Sequence, residues 1–420
     1  MTFSKIGRIL TALVATAALG LGMTACGGGT IGYMWVAGTY YNQITGYKID
    51  DFTGNLTNII NSPFSSAGSS PVSLVVKPGG RYLVVINSGS GGVGAPGDPN
   101  YVAPSGSGIV VFSVGGGGIL TYQQTYFSQG TNPLWATFDT SGNYLYVLDK
   151  YAPDYAKTPS GDITAFSMAA DTGRLTLLQN TAITVNNIPT NFFRVGSNPV
   201  MSHVGAGNCL FTLSPQSVFP YVINTTSGQL TLPATGAQNI PGATNLTSIN
   251  TSVGTSASNF IYMTDAGTNQ IFGFTGGSSA CSLSPITGGP QTNLGGTANP
   301  VNSVTSTNGQ YLYVANQSNT TNTTTTTPQS SISAFSINPT GQIAPVSDGT
   351  SNPYGVGSGP VCLGFDPTNQ YLYVSSNTDN SVTGKLYDSR FGYLSPLARG
   401  STFPTTMRPT CLVISAQIGN

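Results

Sequence analysis

The chain has 420 residues with 54 Gly, 27 Pro and only 6% charged side chains, and all 13 of its acidic groups are Asp. Helical proteins draw heavily on Glu, Lys, Ala and Leu, so a chain without any Glu predicts strands and turns. Only 13 Lys and Arg, balanced by 13 Asp, argue against the clustered basic surface that tracks phosphates, and no nucleic-acid partner is expected.

The first residues carry Lys5 and Arg8, then an apolar run from Ile9 to Met23, then small residues before Cys26. This is the layout of an export signal. Ala25 directly before Cys26, with Gly27–Gly29 after it, resembles a bacterial lipobox, in which the cysteine is lipidated and becomes the first mature residue; ordinary secretory cleavage nearby is the alternative. The expected organisation is a signal peptide over 1–25, a lipid-anchored tether over 26–31 and one domain over 32–420. The run is shorter than the ~20 residues of a membrane-spanning helix. Export places Cys209, Cys281, Cys362 and Cys411 in an oxidising compartment, where four cysteines allow three pairings.

From Gly32 onward one pattern recurs seven times: "GYMWVAG", "GRYLVVIN", "GNYLYVLD", "GNCLFTLS", "NFIYMTD", "GQYLYVAN" and "NQYLYVSS". Each copy is followed by a second apolar alternation, such as "GIVVFSV" or "DITAFSM", then a turn and a third segment, such as "TGRLTLL" or "SGQLTLP". The Gly before that third segment supplies the positive φ of a tight hairpin. A further segment, often opened by Pro as in "PVSLVV" and "NPLWATF", precedes each copy. Four short strands repeated seven times describe a β-propeller. The first repeat lacks its Pro-led strand and the chain ends with an orphan one, "RPTCLVIS", so the C-terminal strand is expected to close the ring in the N-terminal blade. Tyr82, Tyr144, Tyr311 and Tyr371 then read as packing between blades rather than as a ligand cage.

"GQYLYVAN", "FDPTNQYLYVSSN" and "GNYLYVLDKY", each with a downstream G-x-L, resemble the YVTN repeats of the seven-bladed lactonase-type propellers, which include 6-phosphogluconolactonases. The resemblance implies an all-β seven-bladed propeller and, as one possible activity, lactone hydrolysis at the central channel. Enzymatic members commonly carry His directly after the Pro of an inner strand, whereas this chain has Val72, Leu134, Val200, Val301 and Val361 there. The single histidine, His203, lies three residues further along its strand, which alternation places on the opposite face as packed filler.

Asp149 and Asp265 close the second strands of blades three and five, and Arg194 enters blade four at the same end. A water-activating carboxylate with an arginine for the developing oxyanion is a sufficient lactonase minimum. The competing and preferred reading is turn-capping Asp and a surface Arg. One His excludes a multi-His metal centre; no cofactor is expected, with a structural divalent cation left open. "GVGAPG" at 92–97 matches a dinucleotide-binding spacing but lacks the strand-to-helix setting, so it reads as a loop. Cys362 and Cys411 share a register in neighbouring inner strands, and a spacing of ~10 Å between packed sheets predicts that they stay unpaired. The chain reads as an exported, membrane-anchored binding or scaffold propeller at the cell envelope, contacting a glycan, envelope component or protein through its Ser/Thr/Asn-rich loops. A carbohydrate lactonase is the alternative.

Overall fold

A computed structural model describes residues 29–417 apart from 179, 186–187, 191, 206, 234, 254–258, 277–280, 295–297, 319–329 and 348–351. The export signal, Cys26 and most of the Thr-rich loop at 317–330 therefore lie outside the described residues. No described helix is long and apolar enough to cross a membrane.

Seven antiparallel sheets form the blades of a propeller. Blade 2 shows the plan: innermost Pro71–Val76, second Tyr82–Asn87, third Gly108–Val114, outermost Leu120–Tyr126. In the other six blades the outermost strand is broken into two short pieces that pair with opposite ends of the third strand, as Leu56–Asn58 and Phe64–Ser65 do in blade 1. Short, interrupted edges are poor templates for adding another strand. Closure follows the expected route, because Pro409–Ala416 is the innermost strand of blade 1 and pairs with Thr30–Gly38. A short hairpin, Asn180–Val185 with Ile188–Thr190, leaves blade 3 without a counterpart in the repeat.

Each second strand is buried along nearly its whole length, as in Tyr82–Asn87 and Tyr371–Ser376, because neighbouring blades cover both faces. The core is accordingly seven apolar layers, one between each pair of blades. The repeated tyrosines seat these layers. The first aromatic of each second strand lies on the Gly of the following blade's G-x-L turn: Tyr33 on Gly118, Tyr82 on Gly173, Tyr144 on Gly228, Phe260 on Gly341, Tyr311 on Gly392 and Tyr371 on Gly54. A Cβ at any of these glycines would enter the ring, and all six have φ between +67° and +83°. The tyrosine two residues on donates its hydroxyl to the same glycine's carbonyl, at 3.0 Å from Tyr146 to Gly228, 2.8 Å from Tyr313 to Gly392 and 2.6 Å from Tyr373 to Gly54.

At the seam between blades 4 and 5 the aromatic and the glycine are replaced by Cys209 and Cys281, which form a disulfide with a Cα separation of 5.5 Å. Cys281 takes the glycine's left-handed backbone at φ +51°. A covalent bond thus stands where the other six seams use a ring on a glycine.

The interlock predicts that Gly392→Ala costs about 3 kcal/mol, from a left-handed alanine plus overpacking against the Tyr311 ring. Gly400→Ala, at φ +100° with open space around it, should cost only the backbone part, about 1 kcal/mol. Urea unfolding of the two variants checks the difference.

Candidate functional site

The last residue of each second strand to pair with the third strand is polar and buried in blades 2 to 7: Asn87, Asp149, Ser214, Asp265, Asn316 and Ser376. Four of them tie down the segment that leads into their own blade's innermost strand. Asn87 Nδ2 donates to Ser66 O at 3.2 Å, and Asn316 Oδ1 accepts from Asn293 Nδ2 at 2.7 Å. Asp265 accepts the backbone N–H groups of Thr244, Asn245 and Thr268 at 2.6, 2.9 and 2.8 Å. Burial pushes its acidity the other way, yet these donors outweigh that and hold the carboxyl below the usual range.

Asp149 differs because a second carboxylate faces it. Asp162 sits directly opposite on the third strand and is cross-paired in turn with Arg194, so blade 3 places Asp149, Asp162 and Arg194 in one row. Both aspartates are fully buried. Asp149 accepts from Ser128 Oγ at 2.6 Å and from the Gly130 N–H. The Thr164 hydroxyl lies 3.5 Å from Asp149 Oδ2 and 3.4 Å from Asp162 Oδ2, and its single proton serves only one of them. Asp162 Oδ1 has no hydrogen-bond partner among the described residues. The guanidinium of Arg194 turns away from the pair to Asp154 at 2.5 Å and to Ser160 Oγ at 2.6 Å.

Desolvation therefore dominates the pair: it pushes Asp149 up to about 7, and it raises Asp162 well above the carboxylate range with the Asp149 charge adding to it. A raised folded-state value means that the folded protein holds a proton that the unfolded chain releases near pH 4. Stability from this pair is present in acid and is lost as pH rises from about 4 towards 7, by up to ~1.4 kcal/mol per pH unit for each proton held. Urea unfolding is expected to show a more stable protein at pH 5.5 than at pH 7.5, with Asp162→Asn flattening the profile.

His203, on the innermost strand of blade 4, bonds Thr251 of blade 5 through Nε2 at 3.0 Å, and burial pushes its ring down to about 4. A neutral imidazole held by a threonine has no carboxylate to orient it as a base. Asp149 and Arg194 thus share the end of blade 3, while Asp265 and His203 lie in other blades. Among the described residues no group of three or more His, Cys or Asp side chains is placed to hold a metal ion.

Two residues that shape the candidate site and the hub were not singled out from sequence. Asp162 stands at the third-strand position that faces the end of the second strand, where other blades have Gln43, Gly108, Ser217, Gln270, Ser331 and Ser381; that lone acid was the available signal. The second is Trp135. Its side chain packs against the core layers between blades 3 and 4, blades 4 and 5, and blades 7 and 1, and only a side chain crossing the axis reaches all three. A bulge explains the error: in most inner strands the residue after Pro drops out of the ladder, as between Leu148 and Asp149 opposite Trp135 and Pro133. The simple alternation used for the facing of Val72, Leu134, Val200, Val301, Val361 and His203 is broken there.

The inner strands also converge more than packed sheets do. Cys362 and Cys411 have Cα atoms 5.0 Å apart and form a disulfide, contrary to the expectation that they stay unpaired. The ~10 Å spacing holds where broad sheet faces pack, not at the hub where strand edges meet.

Fold and centre together define a seven-bladed β-propeller whose axis is crossed by the Trp135 side chain. No family model and no curated protein matches the chain in sequence. Among solved structures it is similar to the Pseudomonas aeruginosa periplasmic gluconolactonase, at 16% identity and TM-score 0.67, covering 92% of this chain and 100% of that one. A provisionally assigned 6-phosphogluconolactonase from Bacteroides fragilis gives 15% identity and TM-score 0.67 over 92% and 98% of the two chains. Another, from Bacteroides uniformis, gives 16% and 0.68 over 92% and 100%. At such identities the likeness establishes the fold.

Proposed function

We propose that the protein is an exported propeller, anchored through lipid on Cys26, that serves as a binding or scaffold module at the cell envelope rather than as a lactonase. The observation that carries this reading is the Trp135 side chain across the axis, which occupies the place where a channel-centred reaction would seat its substrate. The groups that could do the chemistry are also committed elsewhere: Asp265 to three N–H groups, Arg194 to Asp154, His203 to Thr251.

Lactone hydrolysis is the second reading. It is favoured by the raised pKa of Asp149, which suits a general acid or base, and by the likeness to a periplasmic gluconolactonase. Acid release in a pH-stat from a panel of unphosphorylated sugar and aliphatic lactones, with residues 27–420 and with or without calcium, separates the two. A flat trace is expected; saturable hydrolysis abolished by Asp149→Asn overturns the binding reading. Cys26→Ala is expected to move the protein from the membrane fraction to the soluble one.

A further inference from the structure

We infer that the cleft at the end-turns of blades 6 and 7, walled on one side by Phe260 of blade 5, binds a small polyhydroxy carboxylate, that is, a sugar acid. This rests on the binding-module reading and gives it a ligand class. The cleft has a volume of about 350 Å3, within the ~300–1,000 Å3 of small-molecule sites. Phe260 and Ile337 supply apolar wall, Gln310, Ser336 and Asn338 supply polar groups, and Arg390 stands at the mouth.

Arg390 is the recognition element. Its guanidinium lies 5.1 Å from the centre of the Phe391 ring, which stacks on Tyr393 at 5.4 Å and 17°. No ion pair to it exists among the described residues. Asp388, on the same turn, is occupied with capping that turn, accepting the N–H groups of Arg390 at 2.8 Å and Phe391 at 3.1 Å. The turn is fixed from blade 6, because Tyr311 Oη donates to Arg390 O at 2.8 Å. A stacked guanidinium on a pinned turn presents a flat donor fork, which matches a carboxylate bidentately. A lone cation suits a monoanion better than a phosphate ester.

The neighbouring groups suit hydroxyls. Gln310 Oε1 accepts from Asn308 at 3.1 Å, which leaves the amide's N–H donors to the cleft. Ser336 Oγ donates to Ala344 O at 3.3 Å, which leaves its lone pairs. A donor, an acceptor and an apolar wall beside a guanidinium complement a ring bearing hydroxyls and one carboxylate.

Titration calorimetry of residues 27–420 with sodium galacturonate tests this, with glucose and glucose 6-phosphate as comparators. Saturable binding of galacturonate at or below about 1 mM is expected. Arg390→Gln should weaken it about tenfold or more, and Arg390→Lys nearly as much, since the ammonium keeps the charge but not the fork. Equal affinity for glucose, tighter affinity for the phosphate ester, an unchanged Arg390→Gln or no heat at about 10 mM ligand overturns the assignment. None of these outcomes bears on lactone hydrolysis, which the pH-stat reads separately.

Discussion

Replacing Cys209 and Cys281 together by alanine is expected to cost about 4 kcal/mol, the chain-entropy value for a cross-link with a sequence separation of 72. Thermal unfolding should shift down by roughly 5 °C, since the entropy of unfolding scales with chain length. The repeat supplies a sharper test than loss alone. Cys209→Tyr with Cys281→Gly writes back the ring-on-glycine contact of the other six seams, and the turn already has the left-handed backbone that the glycine wants. That double variant should recover a large part of the loss under reducing and oxidising conditions alike. Equal stability of the alanine and tyrosine–glycine pairs would show that the two devices are not equivalent.

Trp135→Ala is the second large effect, at about 3 kcal/mol, below the upper end for a buried indole because the side chain is only partly buried. The loss should be shared among three core layers on both sides of the axis rather than confined to blade 3. Urea unfolding followed through the remaining Trp35 measures it, and Trp135→Phe should retain roughly half of the packing. A loss below about 1 kcal/mol would mean that the indole does not support the hub. The variant also opens the channel, so a lactonase activity appearing only in it would mark Trp135 as a block over a latent site.

The blade count, the order of strands and the closing strand were legible because each rests on local periodicity repeated seven times. The interlock was half legible: tyrosines between blades could be read from "YLY", but their partner, the glycine of G-x-L, lies in the next repeat, and only the ring brings them together. Cys209 and Cys281 occupy those same two positions of the repeat, so their pairing was written in the alignment once the interlock is known. The hub was not legible. A single bulged residue after each Pro changes which side chains meet the axis, and convergence of the inner strands brings Cys362 to Cys411. Neither reading of Asp149, turn cap or water-activating carboxylate, included Asp162, whose effect comes from a cross-strand neighbour and not from spacing along the chain.

Trp35 pairs with Val413 in the ladder of the first blade. Until residues 409–416 have been made, Thr30–Gly38 keeps an open hydrogen-bonding edge facing the axis. Six sheets can form in sequence behind it, but the circle has no closed state before that strand arrives. Removing residues 409–416 leaves an open arc, not a smaller wheel.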